Sequence, residues 1–287
     1  MDLTVGSIPR NLLVFSLPML VGSVLQTAYS LVNAFWVGKY LGADALAAVT
    51  VSFPTVFVFI ALGIGLTIAT NILIAQYVGA REWDRLKNVV QTSSLLVGCL
   101  SLVFVACGLA LAPAILRMMS TPLEIFQPAL RYLRIFLWTI PLGFGIFLIG
   151  AMLRGIGDSR TPLYFQAVTV ALNAVLDPLL IFGLFGFPKL GLNGTAYASI
   201  LVQAAGLLGL VIYIPYYRAL VSPDFRHPHF DLKTAWLLVR IGFPAMVQQS
   251  VVSVSMFFIV RFVSAFGAAA DAAFGAALRI DQVAFLP

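Results

Sequence analysis

Seven consecutive apolar stretches, each long enough to cross a bilayer, decide what this chain can fold into. Bounded by charges and turn residues, they run near 12–36, 46–74, 89–113, 132–153, 162–185, 192–217 and 234–263, and an eighth begins near 270. Each meets the requirement of about 20 residues for a helix crossing the hydrocarbon, whereas barrel strands would alternate over about 10 residues. Composition points the same way: 61% of the 287 residues are apolar and 10% are charged, against about 25% charged in a soluble domain. A soluble globular fold is excluded. The expected class is an all-α membrane protein, a polytopic bundle of transmembrane helices.

The 17 Lys and Arg outnumber the 11 Asp and Glu, but they fall mainly between the spans. No basic run is interleaved with exposed aromatics, so nucleic acid is not an expected partner, whereas membrane lipid is. Nine Lys and Arg belong to the N-terminal lead and to the connections after spans 2, 4 and 6, among them Arg154 and Arg160 after span 4, and six belong to the other side. This asymmetry predicts a cytoplasmic N-terminus, and the location expected is the plasma (inner) membrane. The first span is too long for a signal-peptide core and lacks a small-residue cleavage site, so it is expected to be retained. Cys99 and Cys107 lie eight residues apart on one apolar span, about 12 Å along a helix and too far to bridge.

A repeat organises the chain. Pro18 in the first span and Pro244 in the seventh stand 226 residues apart, and each is followed 24 or 23 residues later by a Gly-Ala-rich hinge, at Gly42 and Gly267. Six helices return a chain to its starting side, so parallel six-helix repeats follow, with a substrate path between the halves as in secondary transporters. The domains expected are an N-lobe of six helices over 1–217, an inter-lobe linker over 218–233 and the start of a C-lobe over 234–287. A completed second repeat would reach about 450 residues, which makes the remaining C-lobe an expected partner missing from this chain.

Acidic residues are confined to loops except Asp177 in the fifth span and Asp281 in the eighth, and a carboxylate there costs several kcal/mol unless paired, hydrated or protonated. Gln166, Asn173 and Asp177 are spaced by 7 and 4, which sets them in one stripe of a helix. Pro178 lacks an N–H and frees the carbonyl of Ala174. Carboxylate, amide oxygen and freed carbonyl suit Na⁺, or the carboxylate alone carries a proton; the alternative is a structural staple with Asn173 and a hydroxyl such as Thr195. Gln26, Tyr29 and Asn33 form a second polar face, on the first span, and Gln26 and Tyr29 with Gln166 are candidates for lining a substrate cavity. His227 and His229 flank a proline in a polar loop with no cysteine or carboxylate cluster to complete a metal site. Phosphate-loop, dinucleotide and nucleophile-elbow patterns are absent, and no His, Glu or Asp cluster suits an integral-membrane enzyme. No enzymatic activity and no cofactor are therefore expected.

Several ordered motifs resemble the multidrug and toxic compound extrusion (MATE) transporters of the multidrug/oligosaccharidyl-lipid/polysaccharide superfamily. They include Val37–Val49 after the first span, Ala75-Gln76-Tyr77-Val78-Gly79-Ala80-Arg81 after the second, and Leu153-Arg154-Gly155-Ile156-Gly157-Asp158-Ser159-Arg160-Thr161-Pro162 between the fourth and fifth. Asn173–Gly183, Gly191–Ala196 and Ala276–Asp281 complete the set. The resemblance implies two six-helix lobes forming a V, and antiport in which H⁺ or Na⁺ drives export of organic, often cationic, compounds by alternating access. It also implies a cation-coupling site at Asn173, Asp177 and Thr195, with Asn33 standing where the family typically carries Asp. A flippase for lipid-linked oligosaccharides is the alternative within the same superfamily, and it would call for more basic residues in the membrane cavity.

Overall fold

The structure, a computed structural model, describes residues 7–41, 43–118, 123–186, 188–223 and 229–264. Among the described residues the chain forms eight α-helices and no strand. They are α1 (Ile8–Leu41), α2 (Ala43–Gly79), α3 (Trp83–Met118), α4 (Leu123–Phe136), α5 (Thr139–Gly155), α6 (Arg160–Phe182), α7 (Leu192–Tyr217) and α8 (Leu232–Ser264). Five of these helices are long and apolar enough over their described residues to cross a membrane, and the α4/α5 pair makes a sixth span if counted as one. Most helices overrun the apolar stretches that mark them, because a helix continues through the headgroup region after its hydrophobic residues end. The eighth stretch, with Asp281 and the Gly267 hinge, lies outside the described residues.

The fourth span departs from the expectation of one straight helix over 132–153. It is broken at Leu137 and Trp138, where α4 and α5 meet at 40°. Pro141 has no N–H to give the carbonyl of Leu137 one turn back, and that carbonyl instead accepts a tight bond from the Ile140 amide at 3.1 Å. An apolar run conceals such a break, since hydropathy is the same on both sides of it. Arg131 and Arg134 lie on the exposed face of α4, while Leu130, Leu133 and Leu137 are buried.

The core gathers Leu73, Ile74, Leu133, Met152, Leu153, Leu210 and Leu238, from α2, α4, α5, α7 and α8. Small residues set the helix separations, as packing between apolar helices in lipid requires. Along α2 and α5, a Cβ at Gly155 would fall 2.7 Å from the Ile74 side chain, and Asn71 Nδ2 donates to the Ala151 carbonyl at 2.9 Å. α8 crosses α2 where two glycines meet: a Cβ on Gly65 would lie 2.7 Å from the Gly242 carbonyl oxygen, and one on Gly242 would lie 2.7 Å from that of Gly65. α1 packs against α6 and α6 against α7. This outer trio carries the polar residues singled out above.

Candidate functional site: the two sides of α6

α6 turns its stripe of polar residues into the groove between α1 and α7. Asp177 is 1% exposed and Asn173 8%, whereas Leu172, Ala174 and Val175 on the other side of the helix are exposed. Pro178 leaves the helix unbroken to Phe182, where Gly183 closes it in the left-handed conformation at φ 71°. Against α7, three contacts hold one antiparallel register. A Cβ on Gly209 would lie 3.0 Å from Phe165, one on Gly206 2.7 Å from Thr169, and one on Gly194 2.7 Å from the Leu180 carbonyl oxygen. That register sets Asp177 about level with Ala198 and within about one turn of Thr195, itself 3% exposed. The Thr195 hydroxyl donates to the Leu192 carbonyl at 2.9 Å, so its proton is spent on its own helix while its oxygen can still accept or ligate. Asn173 Oδ1 is buried and accepts no hydrogen bond, a costly state for an amide oxygen inside a seam.

Against α1 the same helix behaves differently. Gln166 Nε2 donates to the Gly22 carbonyl at 3.1 Å and to Gln26 Oε1 at 3.3 Å, which joins two of the predicted cavity residues. Around them opens a cavity of about 380 Å³, lined by Pro18, Ser23, Gln26, Arg154, Ser159 and Gln166 among others. Eleven residues beyond Gly22 and Gln166 stand Asn33 and Asp177, so equal rise along the two helices brings these two positions to the same depth, about 16 Å from the Gln166–Gly22 bond. Tyr29 pairs with the level of Asn173 in the same way. The side chains of Tyr29 and Asn33 lie outside the described residues. The predicted set thus divides by depth along one stripe, into a buried group at the level of Asn173 and Asp177 and an open group at the level of Gln166.

Below the cavity the α5–α6 turn is latched to the end of α7. Asp158 accepts the Thr161 amide at 3.1 Å and its hydroxyl at 2.8 Å, and Arg218 reaches the same carboxylate through Nε and Nη2, both at 2.7 Å. Burial by itself would raise the Asp158 carboxyl, but the Thr161 hydrogen bonds and the Arg218 hydrogen bond and charge outweigh it and hold the group below the usual carboxylate range. At the start of α8, Asp231 receives the Thr234 hydroxyl and the amides of Lys233 and Thr234, which hold its carboxyl low as well. Its own amide donates to Thr92 of α3 at 3.3 Å. His229 is exposed, and His227 lies outside the described residues. Among the described residues no three His, Cys, Asp or Glu gather as a metal site.

A family model described as MatE matches residues 18–179, more than half of the chain and the whole stretch from the Pro18 end of the cavity to Asp177. The chain belongs to the MatE family. It is 36% identical over 98% of its length to a probable multidrug resistance protein, YoeA, of Bacillus subtilis, and covers 61% of that protein. To a second B. subtilis protein of that description, YpnP, it is 32% identical over its full length, covering 63%. A solved MOP superfamily transporter from Pyrococcus furiosus superposes with a TM-score of 0.89 at 28% identity, over 98% of this chain and 62% of that one. The chain therefore spans about six-tenths of the length of the relatives it matches. As a MatE member it is an integral membrane protein of a transporter family, and the multi-helix architecture read from the apolar stretches holds.

Within this MatE chain, sequence reasoning missed Arg154. Its place after the fourth apolar stretch reads as a connection charge, but it occupies the last turn of α5 and lines the cavity. The signal available was its position directly after an apolar run, next to Gly155, rather than among loop residues.

Proposed function

We propose that the whole protein is a secondary antiporter that exports organic, often cationic, compounds, and that Asp177 carries the coupling charge. The observation that supports this reading is the buried carboxylate itself, within an apolar span and on one face with an amide oxygen that accepts nothing. Intramembrane carboxylates are costly and are functional by default. With Asn at position 33, the site offers one carboxylate where two would favour a cation, so a proton is the coupling ion we favour over Na⁺. Taking up the proton removes a buried charge and lets α6 repack against α1 and α7, which biases the balance of inward- and outward-open states. Asn173, Thr195 and Asn33 are the polar neighbours assigned to this site, and Gln26, Tyr29 and Gln166 the lining of the substrate path. We place the N-terminus in the cytoplasm of a plasma membrane, residues 1–217 in one lobe and residues from 234 onward in a second, with α8 docked on α2 through Gly65 and Gly242.

The test is efflux from proteoliposomes holding the full-length protein under an imposed pH gradient or an imposed Na⁺ gradient. Asp177→Asn is expected to abolish pH-driven efflux while leaving the protein folded in the membrane. Driven efflux retained by that variant defeats the assignment of Asp177, and efflux that follows the Na⁺ gradient alone replaces the proton with Na⁺.

A further inference from the structure

The cavity between α1 and α6 holds a cation that coupling at Asp177 does not use. Arg154, half-buried at the end of α5, lines it beside Ser159, Ser23, Gln26 and Gln166. Among the described residues its guanidinium makes no ion pair and donates no hydrogen bond, in contrast to Arg218 and Arg85, which both pair with acids. The acid closest to it along the chain, Asp158, is already taken: its two oxygens receive Thr161 and Arg218. The N-terminus of the 23-residue α6, at Ser159 and Arg160, adds the positive end of a helix dipole to the same wall. Among the described residues the cavity lining offers one unneutralised guanidinium, the Ser159 hydroxyl and no available acid, which is complementary to an anion.

We propose that this cavity is an oxyanion site that takes the phosphate group of an amphipathic ligand, with Arg154 as its charged contact. The cavity's volume of about 380 Å³ falls in the range of small-molecule sites, about 300–1,000 Å³. The helices that frame it expose Leu12, Leu13 and Leu17 on α1 and Tyr164 and Val168 on α6, an apolar flank along which an acyl or other hydrophobic tail can lie. A membrane lipid and a soluble organic phosphate share the phosphate chemistry. The site begins about 16 Å below Asp177 along α6, at Gln166, and its Ser159 end lies about 27 Å below it, so it does not depend on the role of Asp177.

Native mass spectrometry of the purified full-length protein tests this, with phosphatidylglycerol as the probe and inorganic phosphate as the competitor. Saturable phosphatidylglycerol binding is expected in the wild type, weakened at least tenfold in Arg154→Gln and little changed in Arg154→Lys. Arg131→Gln, on the exposed face of α4 and away from the cavity, should bind like the wild type. Ser23→Leu, which fills the cavity from α1 and leaves Arg154 in place, should also weaken binding, and it serves if Arg154→Gln does not fold. Displacement by inorganic phosphate supports a soluble phosphate as the ligand; resistance to it supports a lipid. Wild-type protein that binds neither probe, or binding that survives both Arg154→Gln and Ser23→Leu, overturns the proposal.

Discussion

One helix, α6, borders two regions built on opposite principles. Toward its C-terminal end the backbones of α6 and α7 close to the limit that glycine allows, with the Gly194 α-carbon against the Leu180 carbonyl, and at that level Asp177 and Thr195 have almost no exposure. On its α1 side the contact is made by a flexible glutamine bonded to the Gly22 carbonyl, and a cavity remains. A tight seam can hold a charge whose neutralisation matters, because little water reaches it to screen the change. An open cavity can admit a molecule. The two sites lie on one face of α6 and differ because their partners differ: glycines on α7, and Pro18, Ser23 and Gln26 on α1.

The same substitution in each region tests that contrast. Gly194→Ala should show the largest effect on thermal stability in detergent, a loss of about 2–3 kcal/mol, because the new methyl meets backbone that cannot yield. Gly22→Ala meets only the amide end of Gln166, 2.9 Å away, and should cost less than about 1 kcal/mol because a side chain can swing aside. Equal losses at the two positions would erase the distinction between seam and cavity.

Between these extremes lies the latch under the cavity. Removing the Asp158 carboxylate with Asp158→Ala should cost about 2 kcal/mol at neutral pH, since it takes hydrogen bonds from a charged group and strands the Arg218 guanidinium. The Asp158 carboxyl ionises at lower pH in the folded protein than in the unfolded chain. Its contribution is therefore full above the ordinary carboxylate range and is lost as pH falls through the depressed value. Thermal melts of wild type and Asp158→Ala should converge in acid and separate toward neutrality. The smallest effect is expected at the exposed Arg85–Glu82 pair, 3.0 Å apart, where Arg85→Ala should change stability by less than about 0.5 kcal/mol.

Much of this was legible in the sequence. The apolar stretches locate the helices because lipid imposes a length on them, and the spacing of Asn173 and Asp177 foretold a shared buried face because helical periodicity is local. What escaped is of two kinds, a local backbone break and contacts between partners distant in the chain. The α4/α5 break needs the Pro141 ring set against the Leu137 carbonyl, and a hydropathy window does not resolve it. The bond from Gln166 to Gly22 joins positions 144 residues apart, and nothing local to either announces it. Arg154 was misplaced for the same reason: a basic residue at the end of a span reads as an anchor until α1 is seen to form a cavity over it.

The central claim, that Asp177 binds the coupling proton, is met most directly by measuring proton release when a lipophilic cation such as ethidium is added to the purified full-length protein in weakly buffered detergent. Wild-type protein should release protons in step with binding of the cation, and Asp177→Asn should bind it with no release. Equal release from the variant would contradict the account and move the coupling group elsewhere in the protein.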